Sequence, residues 1–283
     1  MKHIKKIIDF FNDDYIFYIH IDKKIKLPEP ELLEIERDGK VAFFSRKYKT
    51  NWGGRNTLRS ILMLSDEVLK NPEIECIHLI SGGDFPAKSS KNITDYLKDN
   101  KGKEFLENFS MPSANWAEGG MGRLLYYNLY DLFNAKTNWG NRTIQLALKI
   151  QRRLKYTRKI SKKLPALFGG STWWTLSRNC LQYVVDYTRK NPMLLKRLKF
   201  SFCSEEIYFQ TVIMNSPFAI NVINGNLRYI KWEYKHNSMP AILDEEDYND
   251  IGKSDRFFAR KIEYPYSEKL VNELERKKVN ESK

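Results

Sequence analysis

Three observations predict an α/β domain with a largely parallel, Rossmann-like sheet flanked by helices. Compact runs rich in Ile, Tyr and Phe occupy residues 15–21, 41–44 and 77–80. Segments with helically spaced apolar residues alternate with them. The first and third runs end in turn-forming residues that include an aspartate, Asp22 and Asp84. Alternation of strand and helix is the signature of such a domain.

The chain begins with Ile4, Ile7, Ile8 and Phe11 at helical spacing, broken by Asn12-Asp13-Asp14. The strand over 15–21 follows and ends in Asp22-Lys23-Lys24. A second strand covers 41–44, a turn is expected at Asn51-Trp52-Gly53-Gly54, and a helix covers about 57–69. The third strand runs into Ser81-Gly82-Gly83-Asp84-Phe85-Pro86. Open α/β sheets bind ligands beyond the carboxyl ends of their strands. Asp22 and Asp84 are therefore candidate ribose or base ligands, although an aspartate there serves equally as a turn or cap residue; Ser81, in the Ser81-Gly82-Gly83-Asp84 motif, is counted with them at the nucleotide site.

Residues 100–165 are polar, basic and aromatic. Gly119-Gly120-Met121-Gly122 is too loose for a phosphate loop, and no GxxxxGK[ST] occurs. Gly169-Gly170 permits close backbone approach, and Trp173-Trp174 offers a stacking platform for a sugar ring or, alternatively, the start of a buried strand. A helix is expected over 179–190. Ser204 is a candidate N-cap for another helix reaching about 215. Glu205 and Glu206 fall in its first turn, where the helix dipole favours acidic residues for stability alone. A strand over 220–223, a hairpin at Asn224-Gly225 and a strand over 227–232 complete the pattern. A charged helix or tail covers 267–283.

The 283 residues carry a net charge of +13, with 16 Tyr, 16 Phe and 6 Trp. The excess favours an anionic partner: nucleic acid, an anionic membrane face or a phosphorylated small molecule. The basic run Arg152-Arg153-Leu154-Lys155-Tyr156-Thr157-Arg158-Lys159, with Lys162-Lys163, reads as a solvated helix face or as a patch resting on anionic lipid. The basic residues do not coincide with the aromatic motifs, so no nucleic-acid partner is expected. Cys76, Cys180 and Cys203 are far apart and odd in number, which argues against a disulfide framework or a zinc site and fits a reducing compartment. No signal peptide or spanning run is read, so a cytoplasmic location is expected, peripheral at the inner face of the plasma membrane if the basic patch meets lipid.

The ordered motifs resemble the core-2/I-branching N-acetylglucosaminyltransferases and their peptide-O-xylosyltransferase relatives. The resemblance rests on Tyr18-Ile19-His20-Ile21-Asp22-Lys23, Trp52-Gly53-Gly54, Leu79-Ile80-Ser81-Gly82-Gly83-Asp84-Phe85-Pro86, Gly169-Gly170-Ser171-Thr172-Trp173-Trp174, Ser204-Glu205-Glu206, Asn226-Leu227-Arg228-Tyr229-Ile230-Lys231-Trp232 and Phe257-Phe258-Ala259-Arg260-Lys261. It is similar to the bacterial branch, which decorates surface polysaccharides.

The resemblance implies a GT-A-like fold and an inverting reaction that takes a UDP-sugar, most simply UDP-GlcNAc, to a glycan or lipid-linked glycan acceptor. It implies no cofactor and no metal, in keeping with the lack of a convincing Asp-x-Asp. It assigns Glu206 as the base and Lys261, with Arg260, as cations facing the leaving diphosphate. It places Trp173, Arg228, Trp232 and, as second choice, Glu205 around the acceptor. Xylosyltransferase relatives have an acidic residue after Gly-Gly-Ser; here that position is Thr172, which points away from xylosyl transfer. A single domain over 1–266 is expected, with a nucleotide-sugar half (1–95) and an acceptor and catalytic half (96–266). The sequence starts inside the first helix, so the first strand of the sheet is expected to be missing. The alternative function is a truncated or degenerate relative that binds nucleotide or glycan without turnover.

Overall fold

The computed structural model describes residues 2–281; Met1, Ser282 and Lys283, parts of the expected N-terminal helix and C-terminal tail, lie outside the described residues. Eleven strands are present among the described residues: β1 Phe17–His20, β2 Val41–Ser45, β3 Cys76–His78, β4 Asp84–Pro86, β5 Glu104–Leu106, β6 Phe109–Ser110, β7 Phe168–Gly169, β8 Trp174–Ser177, β9 Val222–Ile223, β10 Arg228–Ile230 and β11 Phe258–Arg260. Strand β1 pairs with β2 in parallel. A four-stranded sheet has the order β3-β8-β5-β9, and a three-stranded sheet the order β10-β11-β4.

The α/β class holds, while the pairing is more mixed than strict strand–helix alternation predicts. β5–β9 and β10–β11 are parallel. β8 runs antiparallel to both β3 and β5, and β4 antiparallel to β11. The sheets therefore interleave strands from both sides of residue 95. The hairpin expected at Asn224-Gly225 is not formed: β9 pairs with β5 and β10 with β11, and residues Pro217–Asn221 are a 3-10 helix rather than strand. The basic run is helical only to Arg153, where the helix Asn138–Arg153 ends.

Two apolar clusters hold these layers. One gathers Leu58, Ile61 and Leu62 from the helix Asn56–Val68, Leu181 and Val184 from Arg178–Lys190, and Ile207, Tyr208, Phe209, Val212 and Ile213 from Glu205–Met214. Each large apolar side chain buried there contributes about 1.5–3 kcal/mol. The helix Glu205–Met214 is buried nearly all round, so its first turn is fixed by core packing. The second cluster joins Ile7 and Phe10 of the first helix to Phe85, Phe258, and Leu270, Val271 and Leu274 of the helix Glu268–Glu281. The last helix thus docks into the core through these three side chains.

Candidate active site

The segment entering the helix Glu205–Met214 is gripped from outside. Cys203 N donates to Gly53 O (3.0 Å), and Phe202 N to Arg123 O (3.1 Å). Gly53 has φ +78°, and a Cβ there would stand 2.5 Å from the Phe202 ring. The Trp52-Gly53-Gly54 motif therefore needs glycine for both conformation and space. Ser204, expected as N-cap, has helical backbone angles and makes no side-chain cap; its hydroxyl is buried without a partner.

Glu206 lies in the first helical turn with its side chain partly open to solvent. Its Oε2 accepts from Arg123 Nη1 at 2.5 Å. Burial, the largest influence, pushes its carboxyl above the ordinary carboxylate range; Arg123 and the Thr172 hydroxyl pull against that. Arg123 in turn lies 3.6 Å from the Trp116 ring centroid and 5.1 Å from that of Phe202. Glu107 is close enough for Glu206 to raise its carboxyl further, after burial, while Asn226 Nδ2 donates to it at 2.9 Å.

Gly170 joins these parts. Its N donates to Glu206 O (3.0 Å), and a Cβ on it would fall 1.9 Å from Glu107 O. Gln210 of the same helix holds Ser171 O at 2.6 Å. Thr172 and Trp173 follow directly, so this loop carries the residues that separate Glu206 from a second, cationic cluster. There Trp173 stands between Arg260, 4.4 Å from its ring centroid, and Arg228 at 5.9 Å. Trp174, the other half of the expected stacking pair, is buried against Phe209 and offers no platform.

Several expected ligands are occupied by the protein itself. Asp84 is fully buried; Oδ2 accepts from Ser81 N (2.6 Å) and Ser81 Oγ (2.8 Å), and Oδ1 faces Arg260 Nη1 at 3.4 Å. It holds Arg260 in place and leaves no carboxylate oxygen for a ribose. Ser81 is similarly engaged, since Arg260 Nη1 donates to its hydroxyl at 3.0 Å. Arg228 is buried and spans to Asn226 O and Leu79 O, so it braces β10 and Trp173 rather than facing an acceptor; burial pulls it down to about 10. Glu205 is only 6% exposed, its side chain buried in the first turn of the helix. Burial, then Glu206, push its carboxyl up to about 8, and its Oε2 has no partner.

The remaining expected residues are more open. Lys261 follows Arg260, with Nζ 2.6 Å from Glu263 and 3.4 Å from Ser238 Oγ. Asp22 accepts from Lys24 N (2.9 Å) in its own turn and from Thr50 N (3.2 Å) in the segment after β2. Burial pushes its carboxyl up, but those N–H groups and the Lys24 charge outweigh burial and leave it below the ordinary range. Trp232 projects from the loop after β10, 72% exposed.

Arg123, Trp116 and Glu107 belong to the cluster and lie outside the motifs read from the sequence, while Asn226 opens one of those motifs without a role assigned to it. Glu107 had a usable signal: it follows β5 immediately, at the strand end where Asp22 and Asp84 attracted notice. Reading residues 100–165 as undivided polar chain concealed that strand. Among the described residues, no group of three or more His, Cys, Asp or Glu side chains is placed to hold a metal ion.

A carboxylate with raised affinity for protons beside a guanidinium, next to a cationic shelf, is competent to take a proton from a hydroxyl and to steady an anionic leaving group. The chain is 24% identical to Xylosyltransferase 2 of Canis lupus familiaris over 298 aligned positions, covering 97% of this chain and 32% of the relative. The human Xylosyltransferase 2 gives the same values. Xylosyltransferase oxt of Drosophila melanogaster is 22% identical over 284 positions, covering 93% of this chain and 30% of its own. The chain thus spans about a third of the length of these curated relatives. A family model described as Core-2/I-Branching enzyme matches residues 1–252. The chain belongs to the Core-2/I-Branching enzyme family, a family of glycosyltransferases, and has the mixed α/β, GT-A-like architecture that goes with it.

Proposed function

We propose that this chain is an inverting, metal-independent glycosyltransferase that moves a sugar from a UDP-sugar, most simply UDP-GlcNAc, to a hydroxyl of a cell-surface or lipid-linked glycan. The observation that carries the reading is the Glu206–Arg123 pair beside the Gly170–Trp173 loop, whose Trp173 ring centroid lies 4.4 Å from the Arg260 guanidinium. Glu206 takes the proton of the acceptor hydroxyl as its oxygen bonds to the anomeric carbon. The bond from that carbon to the diphosphate oxygen breaks, and its electron pair leaves with UDP. Arg260 and Lys261 offset the charge that grows on the diphosphate. Asp22 serves the nucleotide from its own turn, and exposed Trp232 borders the acceptor. The reaction takes place in the cytoplasm.

A second donor reading has its own support: the curated relatives are named xylosyltransferases. Thr172 weighs against it, because no second carboxylate follows Gly-Gly-Ser here. A panel of UDP-sugars containing UDP-GlcNAc and UDP-xylose, scored by donor hydrolysis and thermal stabilisation, separates the two. Glu206→Gln in the same assay is expected to lower turnover by about 10²–10⁴ while leaving UDP affinity within twofold. A fully active variant would remove Glu206 as the base. UDP binding with no turnover on any donor favours the non-catalytic alternative.

A further inference from the structure

From Leu132 to Val185 the sequence contains no Asp or Glu, while basic residues recur throughout. The helix Asn138–Arg153 lies in this stretch and buries Gly140 and Ile144. Its opposite face is apolar and uncovered: Trp139 is 69% exposed, Leu146 59% and Leu154, at the helix end, 71%, with Ile150 between them also exposed. Residues seven and four apart on a helix share a face, so Trp139, Leu146 and Ile150 form one stripe. Arg142, Lys149 and Arg153 are exposed along one border of it. An apolar stripe with a basic flank and an aromatic residue is the composition of a helix lying in a membrane interface.

The end of this helix leads into a basic cavity. Gln151 Nε2 donates to Tyr127 O (3.1 Å), and the Tyr127 and Tyr156 rings stack at 6.2 Å. Tyr127, Arg158, Lys159, Ser161, Lys196 and Arg197 line a cavity of about 400 Å³. Arg158 Nη2 donates to Arg197 O (2.7 Å) and Arg197 Nη2 to Leu124 O (2.8 Å). Arg158 Nη1 and Arg197 Nε and Nη1 are buried with no partner. Burial, followed by the Arg158 charge, pulls Arg197 down to about 10, and among the described residues no carboxylate acts on either group. Backbone carbonyls and the Tyr127 ring, 4.9 Å from the Arg158 guanidinium, meet these two like charges only in part; an anion satisfies the remaining buried donors.

We propose that this face docks the protein on a bilayer containing anionic phospholipid, with a lipid phosphate in the Arg158–Arg197 cavity and the Trp139–Leu154 stripe at the acyl boundary. Charge complementarity over an acid-free stretch selects an anionic surface, and the stripe selects a lipid one over a soluble anion. Such a surface holds the enzyme where a lipid-linked acceptor is presented. The docking stands independently of the chemistry assigned to Glu206.

The test is flotation of the full chain with phosphatidylcholine vesicles and with 3:1 phosphatidylcholine–phosphatidylglycerol vesicles, at about 0.1 M and 0.5 M salt, the range across which surface charge is screened. The expected result is selective binding to the anionic vesicles. Lys159→Glu/Lys196→Glu, both at exposed positions, lowers it by about tenfold or more. Trp139→Ser/Leu146→Ser removes the binding that survives high salt. Unchanged melting temperatures certify both folds without recourse to activity. The proposal is overturned by absence of vesicle binding, or by binding that neither variant alters. Stabilisation by inorganic phosphate without vesicle binding overturns it in favour of a soluble phosphorylated ligand. Salt-sensitive binding to an RNA oligonucleotide without vesicle binding overturns it in favour of nucleic acid.

Discussion

Arg123 and Glu206 are joined at 2.5 Å while the Arg123 guanidinium rests 3.6 Å from the Trp116 ring centroid. The two residues are 83 positions apart in sequence. Their contact sets two influences against each other on one carboxylate. Burial favours the protonated form and Arg123 favours the ionised form, with burial the larger. Trp116 fixes the guanidinium plane, so the carboxylate is held in one orientation beside Thr172.

The first prediction follows from that balance. A base works when deprotonated, so transfer is lost as pH falls through the Glu206 pKa. The acid limb of kcat/KM is expected above the ordinary carboxylate range. Arg123→Met keeps much of the packing on Trp116 but removes the charge, so the limb moves to still higher pH. The loss at pH 6 should exceed the loss at pH 8 by on the order of tenfold. Arg123→Lys restores the limb in part. A limb that stays put in Arg123→Met denies Arg123 this role.

Glu205 gives a stability prediction with a definite sign. Its carboxyl is raised to about 8 in the folded protein, against an ordinary value near 4.5. Between these values the folded state binds more protons than the unfolded state, so stability falls as pH rises. The protonated side chain's contribution is fully present below the lower value and is lost by the upper one. Glu205→Gln, neutral at every pH, should match the parent near pH 4.5 and exceed it at pH 8 by on the order of 4 kcal/mol. Urea melts at the two pH values test this; equal stability differences at both would count against a protonated Glu205.

The first two strands and the helix Asn56–Val68 are legible because their signals are local: Phe17–His20 and Val41–Ser45 are short runs rich in Phe, Tyr, Val and Ile, and Asn56–Val68 has helical spacing, whereas the short helix Glu29–Glu36 is not among the elements the sequence predicts. The start of Glu205–Met214 was legible for the same reason. The hairpin at Asn224-Gly225 failed because the partners of β9 and β10 lie at Glu104–Phe105 and Phe258–Arg260, beyond any local turn signal. Within the site, Glu206 was found through an ordered motif. Arg123 was not, since only folding brings Gly122–Leu125 against the helix start. Asp84 is expected beyond the end of the third strand, but it opens β4, directly opposite Arg260 of β11, and this cross-strand pairing buries it.

Asp84 therefore separates a structural role from a ligand role. With Oδ1 on Arg260 and Oδ2 on Ser81, Asp84→Ala removes the carboxylate facing Arg260, leaving it the Ser81 hydroxyl, and leaves the Ser81 N–H unmet. A loss of about 3 kcal/mol in stability is expected, the scale for breaking a buried pair. UDP affinity should fall only as Arg260 loosens. Unchanged stability together with abolished UDP binding would return Asp84 to the nucleotide.

Two glycines of the motifs make a matched pair. Gly170→Ala places a Cβ 1.9 Å from the Glu107 backbone oxygen, which no side-chain rotation relieves. The loop must shift, and with it the 3.0 Å bond from Gly170 N to Glu206 O. Overpacking of this kind costs about 1–3 kcal/mol, and transfer should fall further than stability alone explains because Glu206 and Thr172 move apart. Gly82→Ala meets nothing within 4 Å and has no left-handed backbone, so the fold should tolerate it with a change under about 0.5 kcal/mol. Any loss of UDP affinity in Gly82→Ala then reports a ligand that needs the space in front of Ser81-Gly82-Gly83. Thermal melts and UDP calorimetry on the two variants read both effects. Equal destabilisation by the two would contradict the close packing of Gly170 against Glu107.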